Sequence, residues 1–259
     1  MADALLSVEN LEMRFGGIVA LQDVSFSARR GEITAVIGPN GAGKTTLFNC
    51  VTGMYAATGG RITLEGQELT SLRADQIARG GIARTFQNIA LFDGLSVLDN
   101  LKVGLYRHGR SGLLEGALRL PRARREEREA EEKAREMLAF LGLSGVADSR
   151  PGELSYGVQK QVEFGRALMQ SGRLLLLDEP MAGMTQSEKQ RFVEMILQVR
   201  ATLGVSFLLV EHDMPVVMDV SDHVVVLDFG RKIAEGSPRE VQQNEAVIAA
   251  YLGGEVAAP

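Results

Sequence analysis

A glycine-rich segment between a strand pattern and a helix pattern limits the fold of this chain more than any other feature. The apolar run from Ile33 to Ile37 predicts a buried strand, and the spacing from Lys44 to Val51 predicts a helix. The residues that follow the strand and enter the helix are Gly38, Pro39, Asn40, Gly41, Ala42, Gly43, Lys44, Thr45 and Thr46. They fit the phosphate-binding pattern Gly, four residues, Gly-Lys-Ser/Thr. We therefore predict an α/β fold that binds a nucleotide phosphate.

The chemistry of this loop assigns a role to each part. Glycines let backbone N–H groups converge on a phosphate without side-chain obstruction, and the helix N-terminus adds a favourable dipole. Lys44 would reach the β- and γ-phosphates, Thr45 would offer its hydroxyl to Mg²⁺, and Thr46 would donate to the α-phosphate.

Two later strand patterns end in charged residues. Leu174 to Leu177 is followed by Asp178 and Glu179, and Val205 to Val210 is followed by Glu211, His212 and Asp213. A helix pattern lies between the two strands, which indicates a βαβ unit and a parallel sheet. Parallel strands deliver their carboxyl ends to one edge of the sheet, where α/β folds bind ligands.

These strand ends supply candidate catalytic residues. Asp178 would support Mg²⁺, and Glu179 would polarise the attacking water as a general base. His212 would donate to the γ-phosphate. Gln87 ends another short extended segment, 81–86, and would contact Mg²⁺ or the attacking water.

The middle of the chain changes character. From Ser96, which starts a Ser-Val-Leu-Asp capping box, to about Gly172, helical periodicity dominates, apart from a loop-like stretch from Arg107 to Pro121. We interpret this region as a helical subdomain inserted into an α/β core. The chain then closes with a hairpin that begins at His223 and helices that follow Ser237.

Composition limits the compartments and partners that suit this chain. The chain has 259 residues, 45% of them apolar, which suffices for a large buried core. Its single cysteine, Cys50, suits a reducing compartment, and we expect no secretory signal and only peripheral membrane association. A net charge of −5 argues against a nucleic-acid partner.

The order of these motifs resembles that of the ABC-type ATPases over nearly the whole chain. The residues that carry the resemblance are Phe15, Gly38 to Thr46, Gln87, Leu154-Ser155-Tyr156-Gly157, Asp178-Glu179 and His212. It implies that Phe15 stacks on adenine, that Gln87 links two lobes and that His212 is a switch histidine. It also implies that Ser155 and Gly157 bind the γ-phosphate of ATP held by the opposite subunit, so that two chains form two sites.

The resemblance also implies an architecture. It predicts a RecA-like P-loop NTPase core with an antiparallel β-subdomain and an inserted α-helical subdomain, in an L-shaped, two-lobed cassette. One ATPase domain would span residues 1–259. Within it, 1–87 and 173–240 would form the nucleotide-binding core with its β-subdomain, 88–172 the helical subdomain with the signature loop, and 241–259 a C-terminal helix and tail.

Three positions depart from the family pattern. Tyr156 replaces the first glycine of the signature pair, and Val158 replaces the glutamine that follows it. The stretch from Met181 to Thr185 lacks the acidic residue often found in the loop that contacts the second subunit. The outer contacts of the signature loop and the communication between sites are therefore expected to differ.

Several stretches most resemble the ATPases of branched-chain amino-acid importers. They include Met13 to Gly17, Arg84 to Gln87, Leu91-Phe92, Leu95 to Leu101, the long insertion from Tyr106 to Pro121, and the ending Ala250 to Gly253. This resemblance implies ATP and Mg²⁺ as cofactors. It also implies a second ATPase subunit, identical or different, integral membrane permease subunits and, indirectly, a periplasmic substrate-binding protein.

The expected location is the cytoplasmic face of the inner membrane. A permease helix would dock in a groove lined by Asn88 to Phe92. Alternatives remain open at this point: a urea or short-chain amide importer, an exporter cassette, a soluble ABC ATPase of translation or DNA repair, and a scaffold that binds ATP without turnover.

Overall fold

The computed structural model describes residues 4–85, 87, 89–105, 121–170 and 172–253. Phe86, Asn88 and most of the predicted loop from Arg107 to Pro121 lie outside the described residues; Pro121 itself begins a helix. Among the described residues, no helix has both the length and the apolar composition needed to cross a membrane.

The described strands form two sheets. They are β1 (Ala4–Phe15), β2 (Ile18–Arg29), β3 (Ile33–Ile37), β4 (Gly59–Leu64), β5 (Gln67–Glu68), β6 (Ile82–Arg84), β7 (Leu174–Asp178), β8 (Ser206–Val210), β9 (His223–Asp228) and β10 (Arg231–Gly236). One sheet has the order β2-β1-β4-β5, and the other has the order β10-β9-β3-β8-β7-β6.

The six-stranded sheet is parallel except at one edge. β3 pairs in parallel with β8 and β9, and β7 pairs in parallel with β8 and β6, whereas β10 is antiparallel to β9. Every residue of β3, β7 and β8 is buried. This pattern is typical of strands covered on both faces, and it explains why their sequences are continuous apolar runs.

The four-stranded sheet is antiparallel, and its strands alternate between buried and more exposed residues. Val24, Phe26 and Ala28 on β2 share the buried face, as the period of two in the sequence predicts. This face joins an apolar cluster with Leu47 and Phe48 of the helix that follows β3. The antiparallel sheet therefore packs against the helix that follows the phosphate-binding loop.

The described α-helices include those predicted from the sequence and two that were not predicted, Ala74–Arg79 and Met214–Val220. They are α1 (Lys44–Val51), α2 (Ala74–Arg79), α3 (Val97–Leu105), α4 (Pro121–Phe140), α5 (Tyr156–Gln170), α6 (Gln186–Leu203), α7 (Met214–Val220), α8 (Pro238–Gln242) and α9 (Glu245–Gly253). Short 3₁₀ turns lie at Ser144–Val146 and Pro151–Glu153. Before α3, the Ser96 hydroxyl accepts a hydrogen bond from the Asp99 N–H at 3.0 Å, which confirms the predicted cap.

The helical region and the parallel sheet share one apolar cluster. Phe164 on α5 lies with its ring centroid 5.2 Å from that of Phe192 on α6 and 6.2 Å from that of Phe207 on β8. The same cluster includes Leu101 on α3 and Leu138 on α4. The division into 1–87 with 173–240, 88–172 and 241–259 stays a prediction, since this cluster crosses its boundaries.

We expect Phe164→Ala to lower the free energy of unfolding by about 3–5 kcal/mol, because it opens a cavity where two helices meet the sheet. Denaturant titration of the nucleotide-free protein measures this loss. Leu203→Ala, at an exposed position near the end of α6, serves as the control. A loss below ~1 kcal/mol for Phe164→Ala would show that the three rings do not support one another.

Candidate nucleotide site

The phosphate-binding loop joins the end of β3 to the start of α1. Gly38 has φ of 149°, and a β-carbon at this position would lie 2.0 Å from the carbonyl oxygen of Leu227 on β9. Gly43 has φ of 101°, and a β-carbon there would lie 2.9 Å from the carbonyl oxygen of Ala20. Both positions therefore require glycine, because the loop is tightly enclosed by neighbouring backbone.

Lys44 is folded back onto this loop. Its ammonium group donates to the carbonyl oxygens of Gly38 at 2.7 Å and Pro39 at 2.9 Å. Burial lowers the pKa of Lys44, and the carboxylates of Glu179 and Asp178 partly offset this effect. An anion bound in the loop would add to the stabilisation of the charged ammonium group.

Asp178, at the end of β7, forms a buried ion pair with Arg84 on β6. The guanidinium Nη2 lies 2.5 Å from Asp178 Oδ2, and the two side chains are only 8% and 7% exposed. Arg84 also donates to Asn49 Oδ1 on α1 at 2.6 Å. Arg84 had no predicted role, although a cation on the strand that precedes Gln87 was visible in the sequence.

Glu179 is the point where two other predicted residues meet. Its φ is 45°, a conformation rare outside glycine, and its N–H donates to the Val210 carbonyl at 2.9 Å. Gln87 Nε2 donates to Glu179 Oε2 at 3.1 Å, and His212 Nδ1 lies 3.8 Å from the same oxygen. The structure thus brings Gln87, Glu179 and His212 together within one protomer.

Glu211, the residue before His212, is a buried carboxyl group that sequence reasoning left without a role. Glu211 Oε1 accepts a hydrogen bond from the N–H of Met181 at 3.1 Å, and Oε2 accepts one from the N–H of His212 at 3.2 Å. Burial raises the pKa of Glu211 despite these bonds. This side chain ties the segment after Glu179 to the segment that carries His212.

A cleft of about 460 Å³ lies over the phosphate-binding loop. Its lining comprises residues 40–46 of the loop and α1, Ile18 to Ala20 on β2, Glu179, and Phe229 with Gly230 in the turn between β9 and β10. Phe229 is 89% exposed, so its ring is free to contact a ligand at the rim. Sequence reasoning did not select Ile18, Val19 or Phe229, because isolated apolar residues carry no motif.

Phe15 lies outside this lining. Its ring contacts Tyr55 edge to face, with the centroids 5.2 Å apart, and the residue is 42% exposed. The structure therefore places the predicted adenine-stacking residue in an aromatic pair at the end of β1. Its role in binding adenine stays a prediction.

Ser155 and Gly157 also lie outside the cleft of their own protomer. Ser155 Oγ accepts a hydrogen bond from the Val158 N–H at 3.4 Å at the start of α5. Gly157 lies against the carboxylate of Glu188, where an added β-carbon would lie 2.5 Å from Oε1. Hydrogen bonds from Thr185 chiefly lower the pKa of Glu188. Tyr156 packs against Gly183, where an added β-carbon would lie 3.3 Å from its ring.

Comparisons with known proteins identify the family. A family model described as "ABC transporter" matches residues 21–182, and one described as "Branched-chain amino acid ATP-binding cassette transporter" matches residues 231–257. The chain is 43% identical to the high-affinity branched-chain amino acid transport ATP-binding protein BraF of Pseudomonas aeruginosa over 253 residues, 98% of this chain and 99% of that protein. It is 42% identical to LivG of Escherichia coli strain K12, with the same coverage.

Solved structures agree with this assignment. An ATP-binding cassette of an ABC transporter in its ADP conformation has a TM-score of 0.84 and 35% identity, covering 96% of this chain and 99% of that chain. A nucleotide-free ATP-binding cassette from an ABC transporter has a TM-score of 0.83 and 36% identity, covering 96% of this chain and 98% of that chain. The chain therefore belongs to the ABC transporter family, as one of its ATP-binding and ATP-hydrolysing subunits.

Proposed function

We propose that this chain powers the import of branched-chain amino acids and works at the cytoplasmic face of the inner membrane. BraF and LivG are named as branched-chain amino acid transport ATP-binding proteins, and the likeness to them extends over 98% of the chain. The match of residues 231–257 to the branched-chain amino acid cassette model supports the same substrate class.

The meeting of Gln87 and His212 at Glu179 is the observation that carries the proposed hydrolysis. Glu179 also lines the cleft over the phosphate-binding loop, where a γ-phosphate would lie. In our proposal Glu179 takes a proton from the attacking water as a general base. Gln87 holds the water in line, and His212 donates to the γ-phosphate as charge develops there.

Nucleotide binding rests on the loop from Gly38 to Thr46. Its backbone N–H groups would surround the β-phosphate, and Lys44 would exchange its bonds with the Gly38 and Pro39 carbonyls for the β- and γ-phosphates. Thr46 would contact the α-phosphate, and Phe15 would stack on adenine.

The residues proposed to hold Mg²⁺ fit that ion by their chemistry. Thr45, Gln87 and Asp178 offer a hydroxyl, an amide oxygen and a carboxylate, and Mg²⁺ prefers oxygen ligands. Mg²⁺ bound there would neutralise negative charge on the transferred phosphate. Arg84 already pairs with Asp178, so it would hold this carboxylate in place for the ion.

The second half of each site would come from another ATPase subunit, identical or similar. Ser155 and Gly157 would contact the γ-phosphate bound to the opposite subunit, so that ATP closes the dimer and hydrolysis reopens it. In this protomer Gly157 lies against the Glu188 carboxylate, and the incoming phosphate would compete with that carboxylate. Permease subunits would convert the closure into transport, and a periplasmic binding protein would deliver the substrate to them.

The proposed permease contact is the groove from Asn88 to Phe92, of which Asn88 lies outside the described residues. Phe92 is 52% exposed although its own backbone is fixed by Asn100, which accepts from the Phe92 N–H at 2.9 Å and donates to its carbonyl at 3.1 Å. A rigidly held, exposed aromatic ring suits a protein interface.

We expect Glu179→Gln to lower ATP turnover by about 100-fold or more, because an amide cannot accept the proton from water. The measurement is phosphate release from the membrane complex isolated through a tag on this chain, with size-exclusion chromatography to detect an ATP-bound dimer. Glu68→Gln, on the distant strand β5, is the control. Wild-type turnover in Glu179→Gln would refute the proposed base.

Substrate class is tested by transport. We expect the same complex, reconstituted in vesicles with its binding protein, to take up labelled leucine when ATP is supplied inside. Unlabelled isoleucine or valine should compete, whereas urea and acetamide should not. ATP-dependent uptake of urea without uptake of leucine would reject the proposed substrate class and retain the ATPase.

Phe92→Ser is expected to leave the Kd for ATP within about two-fold of wild type while it lowers transport-coupled ATPase activity about ten-fold, because it removes an interface contact and not a nucleotide contact. Leu197→Ser, at a partly exposed position on α6, is the control. Equal transport-coupled ATPase activity in the two variants would contradict the placement of the permease contact.

A further inference from the structure

A buried ion pair on α5 takes no part in the mechanism described above. Lys160 Nζ lies 3.5 Å from Glu163 Oε2, and each side chain is only 2% exposed. Both lie on the helix that begins at Tyr156, whose second residue is Gly157. Removing two charges from water is costly, and an apolar pair of similar size would fill the same space more cheaply.

This pair holds the backbone of the segment that carries Gln87. The Lys160 ammonium group donates to the Gln87 carbonyl oxygen at 2.8 Å, and the Ala90 N–H donates to Glu163 Oε1 at 3.4 Å. One turn farther along α5, Arg166 Nη1 donates to the Ala90 carbonyl oxygen at 2.6 Å. Three charged side chains at intervals of three residues therefore bind backbone groups of Gln87 and Ala90.

Gln87 connects Lys160 with the proposed catalytic carboxylate of Glu179. The main chain of Gln87 is bound by Lys160, and its side-chain amide donates to Glu179 Oε2 at 3.1 Å. Gln87 thus stands between α5 and Glu179. A lysine suits this position because its ammonium group offers three donors, enough for the Gln87 carbonyl and for Glu163 together.

We propose that Lys160 and Glu163 form a positioning pair that sets the amide of Gln87 against Glu179. The pair lies one turn from Gly157 on the same helix. It therefore connects the phosphate-binding end of α5, which serves one composite site, with the catalytic glutamate of the other. This inference rests on the proposed roles of Gln87, Glu179 and Gly157.

The main test variant is Lys160→Met with Glu163→Gln, which removes both charges and leaves no lone charge buried. We expect kcat for ATP hydrolysis by the isolated membrane complex to fall about ten-fold, with the Kd for a fluorescent ATP analogue within about two-fold of wild type. Lys160→Arg keeps a cationic donor and should restore most of the activity. Glu163→Gln alone keeps an acceptor for Ala90 but leaves Lys160 without its carboxylate, and it should lower kcat about three-fold.

Lys102→Met is the matched control. Lys102 is a buried lysine on α3 in the same helical region; it pairs with Asp99 at 3.0 Å and with Glu127, and it makes no described contact with Gln87. Lys102→Met removes a buried lysine from the same helical region without a change at Gln87, so kcat should stay at the wild-type value.

A second mutation separates positioning from a general structural effect. If the pair acts through Gln87, adding the Lys160→Met/Glu163→Gln change to Gln87→Ala should lower kcat by less than about two-fold further. A further ten-fold loss in that background would overturn the inference. So would wild-type kcat in both the double variant and Glu163→Gln, or a loss of kcat in Lys102→Met equal to that of the test variant.

The parallel Glu179→Gln measurement keeps the two proposals apart. If Glu179→Gln abolishes turnover while the Lys160 and Glu163 variants retain it, only the positioning inference fails. If Glu179→Gln retains turnover, the proposed catalytic mechanism fails first.

Discussion

Parallel pairing of β3, β8 and β7 places the ends of three buried strands at one edge of the sheet, and the rest of the site depends on this alignment. Val210 is the register partner of both Val36 on β3 and Asp178 on β7. The phosphate-binding loop, Glu179 and His212 therefore leave the sheet at the same level. Because the strands are buried on both faces, a shift of register would disrupt the packing of their side chains against both covering layers, which favours the observed alignment.

Charges enclosed in the protein are the second organising feature. Arg84 with Asp178, and Lys160 with Glu163, are buried pairs, and Glu211 is a buried carboxyl group bonded to two backbone N–H groups. Such groups contribute little net stability once desolvation is counted. They do fix the orientation of the groups that they bind, because a buried charge has few alternative partners. Each one lies beside a residue proposed for nucleotide chemistry, so they are better explained by geometry at the site than by stability.

A single protomer holds only part of the proposed machinery. The phosphate-binding loop and Glu179 line one cleft, and Gln87 and His212 meet at Glu179. The start of α5 lies elsewhere, with Gly157 against the Glu188 carboxylate. In the free protomer, Lys44 binds carbonyl oxygens of the loop, and the Glu188 carboxylate lies against Gly157. In the proposed cycle, ATP replaces both internal partners and joins two chains, so binding and closure are the same event.

The amino-acid sequence by itself determined which segments become strands and helices, and which residues stand at strand ends. Apolar runs, capping residues and the glycine pattern are local signals, and the strand from Ile33 to Ile37, the helix from Lys44 to Val51 and the parallel arrangement of β7 and β8 agree with them. The family resemblance, confirmed by the comparisons, rested on the same motifs.

Only the tertiary structure decided how side chains far apart in sequence pair with one another. Arg84 and Asp178 are 94 positions apart, and Lys160 and Gln87 are 73 apart. The position of Phe15 against Tyr55, outside the cleft, was equally beyond prediction. Periodicity reports which face of an element is buried, but the partner of a buried charge depends on the register of strands, the placement of helices and the rotamers that packing allows.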